Sequence, residues 1–115
     1  MEAITSGVKE FILDRGDLHD CKINSVEWNL NLSRLEISIS DLNANFLGLP
    51  EYSGPQPGRL IFDGIQFALV DTAPSGDSLR IDEVSIRTEN ELQVVEFLFY
   101  PSGKLVAHFT TASFG

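Results

Sequence analysis

Strict alternation is the feature that most constrains how this chain folds. Leu35, Ile37 and Ile39 are separated by Arg34, Glu36, Ser38 and Ser40, a period of two that suits a half-buried strand and no helix. The same period recurs along the chain, and its interruptions carry information. Between Cys21 and Leu30, the residues Val26, Trp28 and Leu30 share a face while Ile23 is out of phase, which predicts a bulge near Asn24-Ser25. The following Asn29-Leu30-Asn31-Leu32-Ser33 predicts a turn that joins the two strands as an antiparallel hairpin. Over 59–70, Leu60 and Phe62 have one parity and Ile65, Phe67 and Leu69 the other, with the switch at Asp63-Gly64. Either a bulge re-phases one long strand or an Asp-Gly turn folds a short hairpin. The bulged strand is favoured, because each hairpin arm would be short for a strand.

The pattern goes on to the C-terminal end. Leu79 and Ile81 give way to Val84 and Ile86 with another phase slip. Residues 92–100 are apolar on both parities, with Leu92, Val94, Leu98 and Tyr100 against Val95, Phe97 and Phe99, which predicts a central strand covered above and below. Pro101-Ser102-Gly103 turns the chain into a last strand whose Leu105, Ala107 and Phe109 face inward. A helix over 1–14 is read from Ile4, Val8, Phe11, Ile12 and Leu13, with Gly16 at its end. The expected fold is therefore mainly β, or α+β. It has about six mostly antiparallel strands over 20–114, in a sandwich or half-barrel, with one short N-terminal helix. A length of 115 residues suits one domain. Its core is expected around Trp28, Phe62, Phe67, Phe97, Phe99 and Phe109, and Arg59 and Lys104 are weak markers of edge strands.

Residues 42–58 form a long connection punctuated by Pro50, Pro55, Pro57, Gly48, Gly54 and Gly58. Loops of this length are uncommon in compact domains unless functional or disordered, and Phe46, Leu47, Leu49 and Tyr52 are too apolar for disorder. Two readings follow. The loop is a cover that closes one end of the core, or it is a rigid rim presenting Asn43, Asn45, Glu51 and Tyr52 to a partner or ligand.

The densest polar stretch runs from Asp14 to Cys21 and includes His19-Asp20. Acids at 14, 17 and 20 do not have the ligand spacing of a calcium loop. His19, Asp20, Cys21 and His108 supply metal-ligand types without a spacing that makes them converge. Cys21 with either histidine lacks the third group and the oxyanion segment of a nucleophilic site. The plainer reading is a turn in which Asp20 leads into the first strand and a carbonyl or carboxylate holds His19. No phosphate-binding, zincin or nucleophile-elbow motif is present. No enzyme activity, metal or cofactor is expected. The charge sum is 8 basic against 17 acidic residues, or −9, which disfavours nucleic acid and anionic membrane as partners. No apolar stretch approaches the ~20 residues of a membrane span, and the start lacks a secretory signal. The expectation is a cytoplasmic domain of unassigned oligomeric state.

Leu18-His19-Asp20-Cys21 leading to Ile23 and Val26-x-Trp28, then Phe62-x-Gly64-Ile65, then Phe97-x-Phe99-x-Pro101-x-Gly103-x-Leu105 resembles small bacterial β-rich domains. Some of these are immunity proteins of polymorphic-toxin systems. The resemblance carries no catalytic residue over. It implies a stoichiometric inhibitor that binds a toxin domain, and a strongly acidic chain suits a basic partner. The other expectation is a small-ligand module with a pocket between the sheet and the 42–58 loop, where Trp28 or Tyr52 would be the stacking platform.

Overall fold

The structure is a computed structural model that describes residues 2–3, 10, 12, 18–46, 48–50, 52–72 and 79–114. Alternation becomes strand where it was expected, the 59–70 segment divides into two strands, and two further strands form at 2–3 and 111–114. The strands are β1 (Glu2–Ala3), β2 (Ile23–Asn29), β3 (Arg34–Ile39), β4 (Gly58–Asp63), β5 (Phe67–Asp71), β6 (Arg80–Glu89), β7 (Leu92–Tyr100), β8 (Lys104–Phe109) and β9 (Thr111–Phe114). Every ladder is antiparallel. They form a five-stranded sheet in the order β1-β9-β4-β3-β2 and a four-stranded sheet in the order β5-β8-β7-β6. The fold is a two-layer sandwich, with nine strands among the described residues in place of about six. Glu2–Ala3, placed in the N-terminal helix by the sequence reading, form a strand against β9. Glu10 and Ile12 are helical, and Ile12 is buried in the core; residues 4–9, 11 and 13–17, Gly16 included, lie outside the described residues.

Local chemistry accounts for the hairpins. Asn90 and Glu91 both adopt positive φ between β6 and β7, as a two-residue turn matched to strand twist requires, and asparagine tolerates that region well. At the β2–β3 turn the Asn29 side chain accepts a hydrogen bond from the Leu32 N–H at 3.1 Å. The expected bulge is present as a register shift between Ile23 and Ser25, and the slip after Ile81 is a shift between Ile81 and Glu83. These two irregularities meet. Lys22 bridges Arg80, the Asp20 N–H donates to the Ile81 carbonyl, and the Ile81 N–H donates to the Cys21 carbonyl. Bulges let strands bend from one sheet toward the other, so the layers are stapled along this side.

The opposite side corrects the reading of 59–70. Neither one bulged strand nor a hairpin forms there. β4 belongs to the five-stranded sheet and β5 to the four-stranded one, so Asp63-Gly64 is the point where the chain changes layers. The return crossing at Thr110 runs beside it. The Thr110 N–H and Oγ1 both donate to the Asp63 carbonyl, at 3.0 and 3.2 Å, and the Gln66 N–H donates to the His108 carbonyl at 2.9 Å.

Between the sheets the core is one cluster, with Leu35, Ile37, Ile39, Leu60 and Phe62 from one layer and Ile81, Val95, Phe97, Phe99, Leu105, Ala107 and Phe109 from the other. Two expected core aromatics are not in it. Trp28 is 45% exposed on the marginal strand β2, and Phe67 is 51% exposed on the marginal strand β5. β7 is interior to its sheet as expected, but it is not covered on both faces. Val95, Phe97 and Phe99 are buried on one face; on the other Val94 is buried, whereas Leu98 and Tyr100 are exposed. Arg59 and Lys104 lie on β4 and β8, which are interior strands, so neither marks an edge.

Candidate functional site

The 42–58 loop organises itself around a residue just before it. Asp41 Oδ1 accepts from the Asn43 N–H at 2.9 Å and from the Gln56 N–H at 3.0 Å, and Oδ2 accepts from the Tyr52 hydroxyl at 2.8 Å. The Asn43 amide donates to Ser53 Oγ and to the Gly54 carbonyl, and the Leu42 N–H donates to the Gln56 carbonyl. A short 3-10 helix occupies Ala44–Phe46. Asn43 and Tyr52 are thus brought together, but their polar atoms face the loop itself. Glu51 and the Asn45 side chain lie outside the described residues. Asp41 was missed by the sequence reading, although an aspartate two residues before a turn position is a signal for an Asx-turn.

Burial tends to raise the Asp41 carboxyl, but the hydrogen bonds from Gln56, Tyr52 and Asn43 outweigh it and hold the group below its ordinary value of 3.8. The same bond pushes the Tyr52 phenol up. A depressed folded value means that the carboxylate stabilises the loop above pH ~4 and that this contribution fades as the pH falls through the folded pKa. Asp41→Ala is expected to cost about 1–3 kcal/mol, because it leaves several donors unanswered, and Tyr52→Phe about 1 kcal/mol. Chemical denaturation at pH 7 and pH 3 measures both. The gap between wild type and Asp41→Ala should narrow at the lower pH.

His19 and Asp20 sit where the chain enters the stapled side. Leu18 and Asp20 have positive φ of 54° and 66°, an uncommon conformation for a buried leucine. His19 lies between two carboxylates, Nδ1 at 3.4 Å from Asp20 and Nε2 at 3.7 Å from Asp82. The carboxylate-held turn is what forms, and Asp82 is the partner the sequence did not reveal, because the bulge in β6 places it there. Cys21 is fully buried, and its Sγ lies 3.9 Å from the Leu42 carbonyl. Burial, together with the Asp41 and Asp20 charges, pushes its thiol up to about 11, which keeps it neutral near pH 7, whereas a nucleophilic cysteine acts as the thiolate. His108 belongs elsewhere, on β8, with its ring edge-on to Phe67 at 5.2 Å. Among the described residues, no group of three or more His, Cys, Asp or Glu is arranged to hold a metal ion. No helix among them is long and apolar enough to cross a membrane.

A depression of about 290 Å³ does lie between the five-stranded sheet and the end of the loop, lined by Asn24, Ser38, Ile39, Pro57, Gly58 and Arg59. Neither Trp28 nor Tyr52 lines it, so the expected stacking platform is not part of it. An open recess of about 510 Å³ at the tip of the β2–β3 hairpin is lined by Glu27, Trp28, Asn29, Leu30 and Asn31, so Trp28 lines a recess away from the 42–58 loop.

Among the described residues, four of the exposed large apolar side chains stand on the outer face of the four-stranded sheet. Residues paired directly across a ladder point to one face. The pairings Phe67–His108–Val94, Leu69–Val106–Glu96 and Asp71–Lys104–Leu98 define three rows across β5, β8 and β7. Phe67, Leu69, Leu98 and Tyr100 are exposed on this face, Tyr100 at 63%. Charged pairs flank them, with Arg87 Nε 2.6 Å from Glu89 and Nη1 4.0 Å from Glu96. Glu96 and Lys104 stand within the rows, so the exposed apolar side chains form two groups, on β5 and on β7, with β8 between them. Compared with protein-family models and with curated proteins, the chain matches none.

Proposed function

We propose that this chain is a non-catalytic protein-binding domain that meets its partner through the outer face of the four-stranded sheet. The observation that carries this reading is the exposure, on one face of the sheet, of Phe67 and Leu69 on β5 and of Leu98 and Tyr100 on β7, the two strands that flank β8. Aromatic anchors on a backbone that does not rearrange lose little entropy on binding. The net charge of −9 selects a basic partner and accelerates encounter with it. The resemblance to immunity proteins gives the proposal its specific form, a stoichiometric inhibitor of a basic toxin domain. The 42–58 loop, read from the sequence as either a cover or a contact rim, uses its Asn43 and Tyr52 groups in its own closure.

The test is capture of a partner from the native host by immobilised wild type, with Leu98→Lys and Tyr100→Lys alongside Asn43→Ala and Tyr52→Phe. Both lysines replace exposed side chains and leave the core intact. Each is expected to weaken capture by about tenfold or more, as loss of an interface anchor does, while the loop variants bind as wild type. Added salt should slow association more than it speeds dissociation. Binding lost in the loop variants and kept in the lysine variants would reverse the assignment.

A further inference from the structure

A sheet margin is an open row of backbone donors and acceptors, and proteins guard such margins with bulges, charges, proline or very short strands. Three of the four margins here are guarded. β2 and β6 each carry a register shift and are tied to one another through Lys22 and Arg80, and β1 is two residues long. β5 is different. Its ladder to β8 is unbroken over Phe67 to Asp71, its sequence is Phe-Ala-Leu-Val-Asp, and no other described strand pairs with it. Phe67 and Leu69 are exposed on one of its faces and Val70 on the other.

We propose that the occupant of this margin is a second copy of the chain, paired antiparallel about Leu69, so that two four-stranded sheets become one continuous sheet. The strand is self-complementary in that register. Leu69 faces its own counterpart, Ala68 faces Val70 and Phe67 faces Asp71, so no like charges stand opposite one another. The two Asp71 carboxylates lie about 13 Å apart along the strands, beyond the screening length of about 8 Å at physiological salt. Each Asp71 also has Lys104 across its own ladder. Pairing sets Phe67 and Leu69 of the two copies side by side on the outer face, which also carries Leu98 and Tyr100 of both copies. It needs no other protein and stands whether or not the proposed partner reading does.

The test is sedimentation equilibrium of the whole chain from about 10 μM to about 1 mM, the range in which a small interface associates. Wild type should move from monomer toward dimer across it. Leu69→Lys sets two cations face to face and is expected to raise the dimer dissociation constant by more than about tenfold, whereas Leu98→Lys, which lies off the margin, leaves it within about twofold. Amide exchange of wild type at Phe67–Asp71 should slow as concentration rises, a readout independent of any variant. A wild-type chain that stays monomeric throughout overturns the proposal. So does a dimer that Leu69→Lys leaves unchanged, or one that Leu98→Lys abolishes.

Discussion

Phe62→Ala is expected to lower stability by about 3–5 kcal/mol, the cost of a large cavity in a core that cannot close around it. Phe62 is fully buried on β4, and its ring meets Phe109 at 4.9 Å and Phe97 at 6.4 Å, both edge-on and both on the opposite sheet. It therefore joins the two layers. Collapse into the vacated space would require one sheet to move toward the other, and the crossings at both sides oppose that movement. Phe67→Ala makes the matching comparison, since it removes the same side chain from a position 51% exposed. It should change stability by no more than about 1 kcal/mol. Urea denaturation separates the two, with a shifted midpoint and an unchanged slope. Equal effects at 62 and 67 would contradict the packing described.

The second large effect is at the layer change. Gly64 has φ of +68°, and a Cβ there would collide with Thr110 Oγ1 and stand 3.0 Å from Thr110 Cβ. A left-handed conformation costs a non-glycine residue about 1–2 kcal/mol before any collision. Gly64→Ala is therefore expected to cost about 2–3 kcal/mol. Thr110→Ala alone removes one hydrogen bond to the Asp63 carbonyl, worth about 1 kcal/mol. The two substitutions share a contact and should not add. In the Thr110→Ala background, alanine at 64 should cost less than in wild type, because Oγ1 and Cγ2 are gone while the strained φ stays. Strict additivity in a thermal or urea double-mutant cycle would show that the crossings do not touch.

Residue 64 also marks where the sequence stopped being informative. Three breaks in alternation were legible, at Ile23, at Asp63-Gly64 and after Ile81. Two are bulges. The third is a change of sheet. A switch in parity looks the same in all three, because it records only that side chains re-phase toward the core. What distinguishes them is the partner of each half-strand, and that partner is dozens of residues away. Trp28 and Phe67 failed for a related reason. Their type and phase suit a core, but they stand on marginal strands, and strand order is not a local property. The interior strands were easier. Leu105, Ala107 and Phe109 were expected inward and are buried, since neighbours on both sides make parity decisive. In the 42–58 loop, prolines and apolar residues indicated order, but the hub of that order is Asp41, one residue before the segment. The exposed face went unnoticed because Leu98 and Tyr100 on β7 read as buried together with Val94; Val94 is buried, but Leu98 and Tyr100 are exposed.

Chemical-shift mapping of the labelled chain, titrated with the partner it captures, tests the surface assignment most directly. The largest changes are expected at Phe67, Leu69, Leu98, Tyr100 and Val106, with Asn43, Tyr52 and Gln56 unmoved. Perturbations gathered on the 42–58 loop, with the outer face of the four-stranded sheet silent, would contradict it.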